Sequence, residues 1–227
     1  MVFPQVRGWW KSSLTMSHPL QPIVKTMSTT RRFELEDIFS FARVNLDIFT
    51  ETVRLIGQCC LSLSSWPSLS ACDPDWWLQY NMNFYLHYLA QHPEYFDLVE
   101  SPNGLCMGYV MGKAEGSGEN WHGHVTAVTV APDFRRLKLA EKMMKGLEDI
   151  SEFQHHGYFV DLFVRVSNDV AVGMYRKFGY SVYRRVIGYY SGEEDAYDMR
   201  KALSRDVDKK SVIPLDRPVY PQDLLFP

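Results

Sequence analysis

Cysteine is scarce in this chain, with four residues among 227. Cys59 and Cys60 are adjacent, while Cys72 and Cys106 stand alone, so no CxxC pair suggests a structural zinc site. The pattern also lacks the regular cysteine framework of small disulfide-rich secreted proteins. We therefore expect a reduced protein that acts in the cytoplasm.

Excess charge and long apolar runs are lacking as well. Lys and Arg number 24 and Asp and Glu number 27, which gives a net charge of −3. Such a balance offers no bulk electrostatic case for direct binding to nucleic acid or to an anionic membrane. The least charged stretch, residues 55–72, is interrupted by Ser, Gln, Gly and Pro, so no transmembrane helix is predicted.

What the chain does contain is enough apolar surface for a substantial core, with 46% hydrophobic and 14% aromatic residues. Its length suits one α/β domain with tails. Residues 1–26 carry Arg7, Lys11 and Lys25 but no acid, a composition compatible with a transit peptide. Since Met27 begins a stretch that reads as a natural start, we favour a disordered, over-extended N-terminus.

Hydrophobic periodicity predicts a mixed α/β layer fold. Helices are expected from Phe33 onward and over 83–92, 140–152 and 169–177, and strands over 95–100, 105–114, 122–130, 158–166 and 181–187. The order β-β-β-α-β-α-β includes one parallel crossover around the 140–152 helix. A tail over 204–227 holds four prolines and is expected to be extended.

The most informative stretch is a strand, a turn and a helix over 122–152. N–H groups in the first turn of a helix have no intrahelical partner and attract anions such as a pyrophosphate. Arg135, Arg136 and Lys138 add cations just before Ala140. This segment, RRLKLA, resembles the acetyl-CoA signature of the GNAT family, Arg/Gln-x-x-Gly-x-Gly/Ala. Taken alone, it could also be a helix with a basic first turn.

Lys138 stands where the GNAT signature has glycine. A backbone angle φ above zero at this position would cost stability in a lysine. We expect helical angles instead, because only the main-chain N–H of this residue is needed to bind a phosphate.

A second segment, VDLFVRVSNDVAVGMYRKFGY over 160–180, resembles another conserved GNAT block. The resemblance implies that the sheet splays between two parallel strands and that acetyl-CoA enters the gap. Val128 and Val130 would offer main-chain partners to its pantetheine arm, and Asn168 would hydrogen-bond it. Tyr175 would protonate the leaving thiolate, although a core aromatic on an amphipathic helix is the alternative for this residue.

Further segments narrow the resemblance, among them FYLHYLAQHPEYF, WHGHVTAVTVAPDFRRL and EEDAYDMRKALSRD. They look like the catalytic subunits of NatB N-terminal acetyltransferases. The resemblance implies a domain over 27–203 that acetylates nascent chains beginning Met-Asp, Met-Glu, Met-Asn or Met-Gln. It also implies a helical-repeat auxiliary subunit and the ribosome as partners, with acetyl-CoA and no metal.

The same resemblance implies residues for the peptide side of the site. Glu51 would face the substrate backbone, and Tyr80 would take the place of an aromatic that follows the Glu-Thr pair. His124 would be the general base, directly or through water. An α-amine has a pKa of about 8, against about 10.4 for lysine, so a neutral histidine can deprotonate an N-terminus near pH 7.

Three hydroxyl-bearing residues complete the predicted groove. Thr126 lies two residues beyond His124 on the same strand face. Tyr189 and Tyr190 would close the groove from the hairpin before the last strand. The hydroxyls of Thr126 and Tyr190 would donate to the carboxylate or amide oxygen of the second substrate residue.

Two side chains with reactive or ligating groups are assigned no such role. The amine attacks the thioester directly, so Cys106 is expected to be a buried strand cysteine. His122 and His124 share a strand face, but the sequence offers no third ligand at a plausible spacing, and we predict no metal.

Residues 53–79 are compositionally foreign, being rich in Ser, Cys and Trp. The segment begins with Val and ends with Gln, as a retained in-frame intron can, and we expect a splice or gene-model artefact. A partner-binding loop carrying Trp66, Trp76 and Trp77 is the alternative.

Two other functions stay open at this point. One is a GNAT enzyme for lysine or small amines, which would share the cofactor site. The other is a catalytically impaired interaction subunit, disabled by Lys138 and by the insertion.

Overall fold

The computed structural model describes residues 28–39, 44, 82–190 and 192–224. The predicted N-terminal extension over 1–26 and the foreign segment over 53–79 lie outside these residues. Glu51 and Tyr80 lie outside them too, so their roles stay predictions.

A seven-stranded mixed sheet forms the centre of the described part. Its strands are β1 (Thr29–Arg32), β2 (Asp97–Glu100), β3 (Cys106–Glu115), β4 (His122–Val130), β5 (Phe159–Arg165), β6 (Ser181–Tyr190) and β7 (Glu194–Ala202). They lie in the order β1-β2-β3-β4-β5-β7-β6. Among these strands, β4 and β5 are parallel and every other neighbouring pair is antiparallel. The predicted mixed sheet with one parallel pair is confirmed.

Within the described residues, three α-helices flank the sheet: α1 (Met82–Gln91), α2 (Leu139–Asp149) and α3 (Asp169–Lys177). A π-helical segment, Ile150–Gln154, extends α2. A short 3-10 helix, Leu35–Phe39, occupies the start of the helix predicted from Phe33 onward. None of the described helices is both long and apolar enough to cross a membrane.

The sheet separates two apolar layers because alternate residues of a strand point to opposite faces. Val110 of β3 packs with the buried faces of α2 and α3, and Met107, the extra residue at a register shift between β2 and β3, joins it there. Tyr109 and Met111 of the same strand pack on the other face, together with Tyr85 of α1. Full burial of a large apolar side chain stabilises a fold by about 1.5–3 kcal/mol, so both layers hold the sheet in place.

Two strands of the sheet differ from the sequence prediction, the edge strand β1 and the internal strand β7. That prediction had five strands, none before residue 95 or after residue 187, whereas Thr29–Arg32 forms β1 and Glu194–Ala202 forms β7. Neither strand has the clear apolar alternation that a half-buried strand shows. The tail beyond 204 is only partly extended, since it holds two 3-10 turns and bridges β6 through Val186 and Val219.

Strand β1 is held by an ion pair that gives a pH-dependent prediction. Arg31 donates to both carboxylate oxygens of Asp37, at 2.6 and 2.7 Å. Burial alone would raise the pKa of Asp37, but the bonds from Arg31 outweigh it and hold that pKa below its ordinary value. The pair therefore stabilises the fold above the ordinary carboxyl pKa of about 4 and loses that stabilisation as the pH falls through the folded value.

We expect Asp37→Asn to lower the free energy of unfolding by about 1–2 kcal/mol at pH 7 and by less at pH 3. Urea unfolding of the full chain at both pH values measures the difference. Asp97→Asn is the matched control, because burial raises the pKa of Asp97 despite its pair with Arg32. Equal losses from Asp37→Asn at the two pH values would contradict the prediction.

Candidate active site

Strands β4 and β5 pair only over their first halves. The last pair is Val125 with Leu162, although β4 continues to Val130. The β3–β4 ladder shifts register at the same point and leaves Thr126 as an extra residue. Because a bulge of this kind bends the strand that contains it, β4 turns away from β5 beyond Val125.

The resulting gap is a cavity with a volume of about 1080 Å³. Its walls include residues 125–130 of β4, 162–165 of β5, the turn at 134–136 and the starts of α2 and α3 at 138–141 and 168–171. Tyr175 and Tyr190 also line it. The predicted slot beside Asn168 and Tyr175 is therefore present, and its size suits a large cofactor.

The main chain of β4 faces this gap at alternate residues. Ala131 donates its N–H to the carbonyl of Met107 on β3, at 2.9 Å. Successive residues of a strand direct their main-chain groups to opposite edges, so those of Val130 and Val128 point away from β3. They point to where β5 no longer pairs, and an extended ligand with amide groups can bind there.

His124 lies where the two strands still pair. Its Nδ1 is 2.7 Å from Oδ1 of Asp161, the residue directly across on β5. Burial alone would raise the pKa of Asp161, but His124 and His122 lower it far below its ordinary value. An ionised carboxylate only accepts hydrogen bonds, so Nδ1 of His124 carries the proton and Nε2 holds the lone pair.

Tyr175 lies on α3, on the far side of the cavity, and is largely buried. Its ring meets those of Phe178 and Tyr180 edge to face, at 6.4 and 6.0 Å between centroids. Burial raises the pKa of Tyr175 to about 12. The hydroxyl therefore stays protonated at neutral pH, as a proton donor must, so the residue both packs in the core and lines the cavity.

Asn168 also combines two positions. It caps α3, because its Oδ1 accepts the N–H of Ala171 at 3.1 Å. It lines the cavity as well, and an asparagine amide carries two further N–H donors for a ligand.

Known proteins resemble this chain in both sequence and structure. The family model for acetyltransferases of the GNAT family matches residues 62–180. The N-terminal acetyltransferase B complex catalytic subunit NAA20 of Arabidopsis thaliana is 54% identical over 200 residues, which cover 88% of this chain and 99% of that protein. The chain belongs to the GNAT acetyltransferase family, in its branch of NatB catalytic subunits. It is an acetyl-CoA-dependent N-terminal acetyltransferase.

Solved structures of the same branch agree with this assignment. Naa20 of Chaetomium thermophilum, in complex with a bisubstrate analogue, superposes with a TM-score of 0.70 at 36% identity, covering 86% of this chain and 97% of that one. A NatB complex bound to a bisubstrate inhibitor gives a TM-score of 0.67 at 34% identity, covering 87% and 99%.

The GNAT signature turn contains the clearest departure from the sequence expectations. Lys138 adopts a left-handed conformation with φ 62° and ψ 22°, and Arg136 does so with φ 65°. The expectation of helical angles at Lys138 was wrong, because the chain must reverse between β4 and α2 directly before the helix. Glycine adopts such angles freely, whereas other residues pay about 1–2 kcal/mol.

The turn still offers an anion site. Leu139, Ala140 and Glu141 form the first turn of α2 and line the cavity together with Arg135, Arg136 and Lys138. N–H groups at these helix positions have no intrahelical acceptor. The arrangement suits the phosphates of acetyl-CoA.

The strained lysine leads to a prediction. We expect Lys138→Gly to raise the free energy of unfolding by about 1 kcal/mol, because glycine removes the left-handed penalty. Lys138→Ala is the matched control: it removes the same ammonium group but keeps the penalty. Urea unfolding compares the two variants, and a glycine variant no more stable than the alanine variant would refute the explanation. Because both variants lose the same exposed ammonium group beside the phosphate site, their affinities for acetyl-CoA should be equal to each other.

The hydroxyls assigned to the peptide side donate within the protein. Thr126 donates to the hydroxyl of Tyr88 at 3.0 Å, and Tyr190 donates to the carbonyl of Phe163 at 3.2 Å. Tyr189 stacks on the ring of Phe163 with 4.7 Å between centroids. Tyr190 lines the cavity and Tyr189 does not. The hydroxyls of Thr126 and Tyr190 must exchange partners before they can donate to a substrate.

Several residues near the site were missed by sequence reasoning. Asp161 is the one acid within the 158–166 run, a weak signal whose meaning depends on the strand register. Tyr88 reaches Thr126 from α1. Glu115 ends β3 directly opposite His122, so a third metal-ligating group does lie beside the two histidines, contrary to the expectation from spacing.

Cys106 was expected to be buried, and the structure places it half-buried at the start of β3. Burial raises the pKa of its thiol to about 11. A thiol with so high a pKa forms little thiolate at neutral pH, which agrees with its exclusion as a nucleophile.

Proposed function

We propose that this enzyme acetylates the α-amine of nascent chains that begin Met-Asp, Met-Glu, Met-Asn or Met-Gln, as the catalytic subunit of a NatB complex in the cytoplasm. The observation that carries the proposal is the early end of the β4–β5 pairing at Val125 and Leu162. It leaves a gap that Tyr175 lines, while His124 does not line the gap and lies one residue before its closed end. In this proposal the thioester and the amine meet between these two side chains.

The reaction needs one proton removed and one supplied. Nε2 of His124 takes a proton from the substrate ammonium, directly or through a water, because its Nδ1 already donates to Asp161. The neutral amine attacks the acetyl carbonyl carbon, and the C–S bond of acetyl-CoA breaks. Tyr175 donates its hydroxyl proton to the departing thiolate. The product is the acetylated N-terminus plus free CoA.

Binding of acetyl-CoA divides between two parts of the chain. The main-chain groups of Val128 and Val130 hold the pantetheine amides, with Asn168 across the gap. The first turn of α2, with Arg135, Arg136 and Lys138 beside it, holds the phosphates.

In this proposal, hydroxyl groups that line the gap select the substrate. Thr126 and Tyr190 donate to the oxygen of the second side chain, and Tyr88, the hydrogen-bond partner of Thr126, lies beside them. Asp, Glu, Asn and Gln all offer such an oxygen, which explains why one site would accept the four. Glu51 and Tyr80 complete the groove in this proposal, and Tyr189 closes it.

The proposal includes a helical-repeat auxiliary subunit and, through it, the ribosome. A solved relative is a NatB complex, which supports such an assembly. In this chain the first helices and the tail beyond 204 are the expected docking surfaces. Leu35, Ile213 and Leu215 are exposed there.

A peptide panel tests the proposal. Transfer from acetyl-CoA is measured to peptides beginning Met-Asp, Met-Glu, Met-Asn and Met-Gln, to one beginning Met-Leu, and to an Nα-blocked peptide with a free lysine. We expect kcat/KM to favour the first four by roughly ten-fold or more, because a leucine side chain has no oxygen to accept the hydrogen bonds that Thr126 and Tyr190 would donate. Preference for the lysine peptide would support the lysine or small-amine alternative.

The same panel decides the remaining alternative. Calorimetry with acetyl-CoA accompanies each assay, since an interaction subunit without activity would bind none. The assay is repeated on a chain lacking residues 53–79. Activity gained by the deletion would show that the foreign segment hinders the peptide groove.

A further inference from the structure

Four ionisable side chains cluster where β3, β4 and β5 run side by side: Glu115, His122, His124 and Asp161. The proposed reaction uses only His124 and Asp161. We propose that Glu115, His122 and His124 form a binding site for a transition-metal cation such as Zn²⁺, and that the bound metal inhibits acetyl transfer by occupying His124.

Distances within the cluster fit a metal site. The three ligand atoms lie within 4.8 Å of one another. Oε1 of Glu115 is 3.8 Å from Nε2 of His122 and 3.8 Å from Nδ1 of His124. Zinc bonds of about 2.0–2.1 Å in tetrahedral geometry place ligand atoms roughly 3.3–3.4 Å apart, so small side-chain movements suffice. Oδ2 of Asp161, 3.4 Å from Nε2 of His122, can serve as a fourth ligand.

Two of these atoms form no hydrogen bond with any of the described residues. Oε1 of Glu115 and Nε2 of His122 are buried and form no hydrogen bond there, whereas the other Glu115 oxygen pairs with Lys113. Buried polar atoms without partners are costly. That both face the same small space points to a cation between them.

The tautomer of His122 strengthens this argument. Its Nδ1 lies 2.6 Å from the carbonyl oxygen of Asn120. A carbonyl only accepts, so Nδ1 keeps its proton, and Nε2 faces the carboxylates of Glu115 and Asp161 at 3.8 and 3.4 Å. The ring stacks on Phe159 at 4.6 Å, which fixes its orientation. Either a proton on Nε2 of His122 or a metal ion beside it would offset the negative charge of the two carboxylates. The proton and the metal ion therefore compete for the site.

Metal binding would prevent His124 from acting as the proposed general base. Ligation through Nδ1 of His124 displaces the proton now shared with Asp161 and leaves the neutral ring protonated at Nε2. No lone pair then remains for the substrate amine. This inhibitory step rests on the proposed function, whereas the binding step does not.

Binding is tested on the full chain by titrating Zn²⁺ in a calorimeter and by the visible absorption of bound Co²⁺. Glu115→Gln and His122→Asn each remove one ligand. His155→Asn is the matched control, because His155 pairs with Glu94 at 3.1 Å outside the cluster. Cys59, Cys60 and Cys72 can also bind zinc. The site is therefore identified by the differences in Zn²⁺ affinity between the variants and not by the total number of Zn²⁺ ions bound.

We expect each cluster variant to lose about 10–100-fold in affinity for Zn²⁺ and the four-coordinate Co²⁺ spectrum, and the control to stay within about two-fold. Calorimetry with acetyl-CoA confirms that each variant is folded. Zn²⁺ binding that survives unchanged in both cluster variants would overturn the site.

Activity supplies the second test. Acetyl transfer should fall as Zn²⁺ is added and recover with a chelator, and the residual activity of His122→Asn should need about 10–100-fold more Zn²⁺ for the same inhibition. Zinc bound at the cluster without loss of activity would overturn the inhibitory step. A chain that binds Zn²⁺ there but acetylates no peptide even when metal-free would refute the proposed function and leave the metal site standing.

Discussion

Asp161→Asn should reduce kcat by about 10²–10⁴-fold while acetyl-CoA still binds. The carboxylate of Asp161 accepts from Nδ1 of His124 at 2.7 Å and so keeps the lone pair on Nε2. An asparagine amide can donate instead, which favours the opposite tautomer and leaves Nε2 protonated. The corresponding exchange in Ser-His-Asp triads costs about 10⁴-fold for the same reason.

Steady-state kinetics on a Met-Asp peptide measures this effect, with kcat and KM determined separately. Asp161 is a positioning residue, so its loss should lower kcat far more than it changes KM for the peptide. The carboxylate is buried, so acetyl-CoA calorimetry and urea unfolding must accompany the assay. Asp195→Asn, at an exposed ion pair with Arg185, is the control. A kcat within about three-fold of the original would rule out the assigned role.

The second large effect concerns Tyr175. Removing its hydroxyl in Tyr175→Phe should lower kcat by about 10²–10³-fold, since the leaving thiolate loses its proton donor. The phenylalanine ring keeps the contacts with Phe178 and Tyr180, so stability and acetyl-CoA binding should change little. Because the pKa of Tyr175 is raised to about 12, the original enzyme should show no alkaline loss of kcat from this group below about pH 10.

Tyr180→Phe provides a control from the same aromatic cluster. The hydroxyl of Tyr180 donates to Oε1 of Glu148 at 3.0 Å, and Tyr180 does not line the cavity. Its loss should lower the free energy of unfolding by about 1–3 kcal/mol, because it leaves a buried carboxylate oxygen without this donor. Its kcat should stay close to the original. Equal falls in kcat for the two variants would point to packing rather than proton donation at Tyr175.

Local patterns predicted much of the fold. The bounds of β4 and α3 match their sequence predictions, since β4 alternates regularly and α3 begins at the cap Asn168 and closes before Gly179. The edge strand β1 was missed because four polar residues have no periodicity. It forms through main-chain pairing with β2 and the bonds of Arg31 to Asp37 and Glu100, which only a folded chain brings together.

The candidate site also contains some residues that local patterns predicted and others that only the folded sheet brings together. The cofactor residues follow one another along the chain in two segments, and a resemblance to short motifs was enough to predict them. Lys138 shows the limit of that approach, because a motif does not state whether its glycine is needed for its backbone angles. The meeting of Asp161 and Glu115 with the two histidines depends on the registers of three strands, and register is a property of the whole sheet.

By itself, then, the amino-acid order determined the mixed α/β class, the acetyl-CoA segments and the membership in the GNAT family, because each is encoded in contiguous residues. The tertiary structure decided where β4 and β5 part, which carboxylates face His122 and His124, and which hydroxyls are already bonded. These features arise from contacts between residues far apart in the chain, set by pairing and packing that no local pattern records.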